Sequence, residues 1–176
     1  MIRRAKSVAV HWIRSWLQMG LSWLGVFLGM AAVGYLSHWL ALRGIEQMYL
    51  IGSFGATAIL LYGAPSVPYS QPRNLLGGQI LSAVVGVAVY QALPEPLWLA
   101  AAMAVSCSMA IMQLTRTIHP PGGATALIAV LGGERIHALG YWYALVPVTA
   151  GAFVMLAVAL LVNNLPRSRR YPLSWF

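Results

Sequence analysis

The sequence predicts an all-α polytopic membrane protein of about six membrane segments, two of them short or broken, arranged as a 3+3 inverted repeat. Three observations predict this. Of its 176 residues, 60% are hydrophobic and only 8% charged, against roughly 25% charged in an ordinary soluble domain. Apolar runs near the ~20 residues that carry a helix across hydrocarbon recur along the chain. Two stretches, one in each half, share the core Gly-Ala-Thr-Ala.

The termini come first. Residues 1–15 form a basic stretch with Arg3, Arg4, Lys6 and Arg14, and residues 166–176 a short basic tail with Arg167, Arg169 and Arg170. Basic residues flanking spans mark the cytoplasmic side, so both termini are expected there, in the inner (plasma) membrane, around a transmembrane domain at 16–165. The net charge of +8 does not predict nucleic acid as a partner, because these cations flank spans instead of lining a soluble face. The first apolar run is too long for a signal-peptide core of about 7–15 residues and is expected to be retained. The single Cys107 rules out a disulfide framework and is expected to be a small packing residue. The Cys/His pattern implies no metal, and no cofactor is expected.

The segments are about 16–42, 48–64, 75–93, 97–114, 122–133 and 142–165. The second is short and contains Gly52, Gly55 and Gly63; the fifth is shorter still. "LPEP" at 93–96 predicts a tight turn, since proline ends one helix and opens the next. If all six cross, Arg73 and Arg116 fall on the cytoplasmic side with both termini, and Glu46, Glu95 and Glu134 fall outside. If only four cross, the two arginines face outside. The positive-inside rule prefers six. The fifth segment is too short to span as a straight helix, so it must be continued by irregular backbone buried in protein or lining a cavity.

"GSFGATAILLYG" (52–63) aligns with "PPGGATALIAVL" (120–131), matching Gly55 with Gly123 and Thr57 with Thr125. Two spans separate the copies, so they run oppositely through the membrane, as in inverted-repeat transporters, whose substrate sites lie at such short, Gly/Pro-interrupted segments. His119, Pro120 and Pro121 end one helix and start another. Gly122 and Gly123 permit close backbone approach. Two helix starts, aimed at a midplane cavity from opposite sides, would present free N–H groups and positive dipole ends to a small anion. The expected substrate-binding set is therefore His119, Pro120, Pro121, Gly122, Gly123, Thr125, Gly52, Ser53, Gly55 and Thr57. Two readings stand for His119, anion or proton handling and a structural hydrogen bond, and for Thr57 and Thr125 a bond back to their own helix is the plainer role. Arg73 and Arg116 either orient the chain in the membrane or form an electropositive vestibule.

Gly25 and Gly29, and Gly78, Ser82 and Gly86, recur at spacings that let helices pack closely, within the chain or between subunits; a homo-oligomer, most simply a dimer, is expected. Trp residues near span ends fit interfacial belts, whereas Trp23 is deeper and expected to pack. Asn163 and Asn164 are expected to cap the last span.

The stretches 52–86, "LTRTIHPPGGATALIAV" (114–130) and "LVNNLP" (161–166) resemble the HPP family of small integral membrane proteins, named for the motif at His119-Pro120-Pro121. The resemblance implies a membrane protein usually described with four transmembrane helices, and some relatives are linked to nitrite transport or binding. Some bacterial members carry C-terminal CBS domains; none is expected here. The expected function is a transporter or channel for a small inorganic anion, with nitrite the family-informed choice. The predicted spans hold no carboxylate, which cation carriers usually place there. The alternatives are a non-transporting assembly or sensor subunit, and a membrane enzyme using His119. The enzyme is disfavoured because nucleophile, base and orienting carboxylate do not assemble within the spans.

Overall fold

The structure, a computed structural model, describes residues 2–41, 52–166 and 169–176, with side chains at 16–39, 52–166 and 169–176. The expected outside loop at Glu46 and the side chains of Arg3, Arg4, Lys6, Arg14 and Arg167 lie outside these residues. No strand occurs among the described residues; the helices are α1 (Ile2–Ala41), α2 (Gly52–Gly63), α3 (Pro72–Ala92), α4 (Leu97–Leu114), α5 (Pro121–Leu131), α6 (Glu134–Leu139) and α7 (Ala150–Val162). Among the described residues, four helical stretches are long and apolar enough to cross a membrane: Trp16–Trp39, Pro72–Ala92, Leu97–Leu114 and Ala144–Val162. The two segments that the sequence marks as short are the two shorter apolar helices, α2 and α5.

Local chemistry sets the boundaries. Pro72 and Pro121 open α3 and α5, where the missing proline N–H removes nothing a first turn needs. The 93–96 turn joins α3 to α4, and the Leu97 N–H donates to Glu95 Oε2 at 3.1 Å. The last span begins as π-helix, Ala144–Thr149, around Pro147. Proline breaks the α ladder there, and Thr149 Oγ1 donates to the Ala144 carbonyl at 2.6 Å.

Small residues bring the helices together. A Cβ on Gly25 or Gly29 would lie 2.8 or 2.2 Å from the Tyr62 ring and hydroxyl, so α1 packs on α2 through this ring. Tyr62 in turn donates to the Met155 carbonyl on α7 at 3.0 Å. Gly151 admits Phe54 in the same way, a Cβ there falling 2.3 Å from the ring. On α3, Gly78 faces His119 and Gly86 faces Ala126 and Ala129, while Gly122 faces Gly78 and Ser82. These pairings make α5 parallel to α3. Both glycine stripes are thus filled within one chain and are not free to form the subunit contact they could have served.

Two further expectations change. Trp23 is 67% exposed and stacks on Phe27 at 5.5 Å, so it faces outward from α1. Cys107 is exposed on α4. The tail folds back on the helices: Asn164 and the Tyr171 backbone exchange two hydrogen bonds, at 2.6 and 2.9 Å, and the Tyr171 hydroxyl donates to the Ser70 carbonyl at 2.7 Å. Asn164 also donates to the Leu160 carbonyl at 2.9 Å, the capping bond expected of it. Asn163 is the C-cap residue of α7, its N–H bonded to the Ala159 carbonyl at 3.0 Å, and its side chain reaches across to the Leu61 carbonyl of α2 at 3.1 Å.

Candidate functional site: a buried polar chain between the two short helices

The segment from Thr115 to Pro120 is held against the start of α3. α4 ends with the Thr117 N–H bonded to the Met112 carbonyl at 2.8 Å and the Arg116 N–H to Gln113 at 3.2 Å. This is the Schellman pattern, whose C′ residue is left-handed and usually glycine. Here the residue is Arg116, at φ 56°, and its side chain is exposed. Arg73 donates to the Thr115 carbonyl and Asn74 to the Ile118 carbonyl, both at 2.8 Å. A Cβ on Gly78 would lie 2.4 Å from that of His119. The HPP turn therefore sits more than one helical turn below the start of α3, inside the helix bundle.

His119 is fully buried. Its Nδ1 lies 2.8 Å from the Tyr69 carbonyl. A carbonyl only accepts, so Nδ1 carries the hydrogen. Nε2 lies 3.1 Å from Thr57 Oγ1. Gln79 Nε2 donates to the same Thr57 oxygen at 2.7 Å. At the other end of the amide, Thr125 donates to Gln79 Oε1. Thr125 has a single hydroxyl hydrogen, so its 2.8 Å contact with Ser53 Oγ is donated by Ser53. With neutral imidazole, Thr57 donates to Nε2, and all the bonds align into two runs that meet at Gln79. The chain therefore joins the Tyr69 turn, α5's entry, α2, α3 and α5. Ser53, Thr57, Gln79, His119 and Thr125 are all fully buried. Each would cost about 1–3 kcal/mol if left without a partner, so the five side chains stabilise one another's burial. Beside them, the buried Ser82 hydroxyl has no partner; a Cβ on Gly122 would lie 2.7 Å from it.

The structure thus brings together four of the ten residues expected from the sequence: Ser53, Thr57, His119 and Thr125. Gly122 makes the close approach, whereas a Cβ on Gly123 would meet only Val105, at 3.7 Å. Pro120, Pro121, Ala56, Ile59, Leu60 and Ala124 line an apolar groove of about 720 Å³ along the α2–α5 seam. Gly52 lies beside Ile128, at 4.0 Å for a Cβ, and Gly55 faces open space. Arg73 serves the α4 end as described, and Arg116 lies near it with its side chain free of that bond.

The arrangement of the helix starts differs from the expectation. Ser53 pairs with Thr125 and Thr57 with His119, so α2 and α5 lie side by side and antiparallel. Their N-termini point in opposite directions and do not converge on one cavity. The Gly122 and Gly123 amides are also occupied, by the carbonyls of His119 at 2.8 Å and Pro120 at 3.1 Å. What this site offers an anion is hydroxyl and amide hydrogen, not helix-end N–H groups, since the one imidazole hydrogen is held by the Tyr69 carbonyl.

Gln79 was not singled out from the sequence, although it was legible: a carboxamide within an apolar span needs a partner and marks a functional position by default. For the buried Ser82, the sequence shows only its spacing with Gly78 and Gly86. The Tyr69 carbonyl left no sequence signal.

The model of the HPP transmembrane region matches residues 12–172. The chain belongs to the HPP transmembrane region family. Two transmembrane proteins of Dictyostelium discoideum are each 44% identical to this HPP protein over 162 residues, 90% of its length. The match covers 56% of one relative and 51% of the other, so the chain spans about half the length of these curated relatives. No solved structure matches it. Among the described residues, no three His, Cys, Asp or Glu side chains gather as a metal site would need.

Proposed function

We propose that this HPP protein is a membrane transporter or channel for a small inorganic anion, nitrite being the choice the family resemblance supplies. The observation that carries the reading is the buried polar chain itself. Five hydrogen-bonding side chains converge at the seam of two short helices inside an apolar bundle, with no carboxylate among them. Intramembrane polar groups are costly and mark pathways by default. An anion entering there meets donors and no repelling charge.

The geometry also supplies a way to open. Parting α2 from α5 breaks the Thr57–His119 and Ser53–Thr125 bonds, while Gln79 stays on α3. The freed hydroxyls, together with Ser82, then face the seam. Alternating exposure of such a seam is the working principle of repeat-built transporters. In this reading α2 and α5, with the irregular backbone before α5, complete two further crossings, giving six. Their antiparallel packing supports an inverted repeat. Both termini lie in the cytoplasm of a cell whose inner membrane holds the protein, and Arg73 and Arg116 line the inner mouth. The active form is a homo-oligomer whose contact uses a face other than the two glycine stripes.

One observation favours a second reading, a non-transporting assembly subunit: every member of the five-residue chain is hydrogen-bonded, as in a fastening. Flux separates the two. Purified protein in liposomes is expected to pass nitrite in preference to chloride, with nitrate and formate as further probes. Folded protein that passes none of the four rejects transport in favour of the fastening.

A further inference from the structure

The turn that holds His119 is itself held by the C-terminal tail. Residues 64–71 join α2 to α3 and, with Pro72, include three prolines, Pro65, Pro68 and Pro72, which have no N–H to give a backbone ladder. Four carbonyls of this turn accept from side chains. Gln71 Nε2 donates to those of Pro65 and Val67, both at 3.0 Å. His119 Nδ1 donates to that of Tyr69 at 2.8 Å, and the Tyr171 hydroxyl to the next one, Ser70, at 2.7 Å. Two consecutive carbonyls are thus bonded to the HPP histidine and to the tail.

The tail grips the turn a second time through Gln71. Its Oε1 accepts from the backbone N–H groups of Leu173 at 2.8 Å and Ser174 at 3.3 Å. Two carbonyls on the amide nitrogen and two N–H groups on the oxygen settle which way the amide points. Asn164 anchors the tail to the end of α7 through its two bonds with the Tyr171 backbone. Tyr171, Ser70 and Gln71 are all buried. With the tail released, the Ser70 carbonyl and Gln71 Oε1 lose these donors, and the turn is free to move toward water to replace them.

The Tyr69 carbonyl moves with the turn. The bond made by one imidazole nitrogen sets the state of the other. While Nδ1–H is held, Nε2 accepts from Thr57. Without that acceptor the hydrogen can sit on Nε2, and Thr57 Oγ1 then accepts from both His119 and Gln79, which turns its own hydrogen loose. We propose that Tyr171 and Asn164 are positioning residues for His119: they strap the tail over the Tyr69 turn, whose carbonyl fixes the imidazole tautomer and with it the direction of the buried chain. The consequence for anion selectivity rests on the transport reading; the consequence for the tautomer does not.

The test is solid-state NMR of the full chain in liposomes with nitrogen-labelled histidine, His119 being identified by its absence from His119→Ala. Wild type is expected to show one His119 tautomer, with the hydrogen on Nδ1. The double variant Asn164→Leu, Tyr171→Phe cuts tail bonds and replaces no residue that touches His119; it should show both tautomers. Tyr171→Phe alone keeps the ring and removes one hydroxyl. It should move the same way by less, and it decides the matter if the double variant does not fold. Trp175→Ala, on an exposed part of the tail, should keep the wild-type tautomer. Flux is read in the same liposomes, where release of the strap should shift the ratio of nitrite to chloride in the direction that His119→Ala shifts it. A shifted tautomer in protein that passes no anion keeps the strap and rejects transport. Hydrogen on Nε2 in wild type, no tautomer shift in the released variants, or an equal shift in Trp175→Ala overturns the strap, and wild-type nitrite flux then leaves transport standing. A shifted tautomer with the wild-type flux ratio overturns its part in selectivity.

Discussion

Thr57 and Thr125 hold opposite ends of one amide. Gln79 Nε2 donates to Thr57 at 2.7 Å, and Thr125 donates to Gln79 Oε1. The two threonines are the matching positions of the Gly-Ala-Thr-Ala repeat. A single glutamine on α3 therefore ties both short helices to a long span. Removing one end of such a run leaves the remaining groups buried and unpaired.

Gln79→Leu is accordingly expected to destabilise the protein by about 1–3 kcal/mol, the cost of orphaning Thr57 and Thr125. Pairing it with Thr57→Val should recover part of that loss, because residues in one network are coupled by about 0.5–3 kcal/mol. Thermal unfolding in detergent reads both. Strictly additive losses in the two single variants and the double would sink the idea of a shared chain.

The adjacent glycines Gly122 and Gly123 should part company. A Cβ on Gly122 would lie 2.7 Å from the Gly78 carbonyl and from Ser82 Oγ, whereas one on Gly123 meets ordinary contact at 3.7 Å. Gly122→Ala is expected to cost about 1–3 kcal/mol through overpacking, and Gly123→Ala to be neutral or stabilising. Equal unfolding temperatures for the two variants would contradict the α3–α5 contact.

These residues also show what the sequence could reveal. The long spans were legible because hydrocarbon imposes length and composition. Four of them are present as helices, and the two Gly-rich segments are short, as their length required. Ser53, Thr57, His119 and Thr125 were legible through the repeat and the HPP motif. Which of Gly122 and Gly123 is pressed against α3 was not, since spacing does not fix helix rotation. Trp23 was misjudged for a similar reason: depth along a span is readable from sequence, but which face meets lipid depends on α1 packing through Gly25 and Gly29. The convergence of helix starts failed because a repeat fixes relative direction and not the offset between two neighbours.

Arg116 supplies a third prediction. It holds a left-handed conformation in which glycine is favoured, and a side chain there costs on the order of 1–2 kcal/mol. Arg116→Gly should therefore raise stability, by up to ~1 kcal/mol once glycine's added unfolded-state freedom is counted. If the side chain serves an inner mouth, anion flux should fall in the same variant, most visibly at low salt, where exposed charge is least screened. A variant that is both more stable and undiminished in flux at low salt would remove Arg116 from the vestibule.

Topology can be read directly. Glu95 lies in the α3–α4 turn and Glu134 opens α6, while Arg73 and Arg116 lie at the opposite end of α3. In a Cys107→Ala background, cysteines replacing Glu95 and Glu134 should label with an impermeant reagent in intact cells. Cysteine at Arg116 should label only after permeabilisation. Labelling of Arg116→Cys from outside would reverse the proposed orientation and the inner mouth with it.

The last prediction separates the two functions proposed for the HPP turn. His119→Ala breaks the contacts to Tyr69 and Thr57, and each lost bond costs about 0.5–1.5 kcal/mol of stability. Part of any lost activity would therefore be lost protein. The measurement must be nitrite flux per folded molecule, with folded protein counted by size-exclusion chromatography before reconstitution. If the imidazole meets the anion, flux on this basis should drop about tenfold or more, equivalent to ~1.4 kcal/mol at the pathway's tightest point. Thr57→Val, which removes the neighbouring hydroxyl, should fall in the same direction. Because His119 is buried against Gly78 and Arg73 is exposed, Arg73→Gln should weaken the α4 end without changing the ratio of nitrite to chloride flux. His119→Ala should change that ratio. If His119→Ala passes nitrite at the wild-type rate per folded molecule, with the same preference over chloride, the buried chain is a fastening and the anion takes another route.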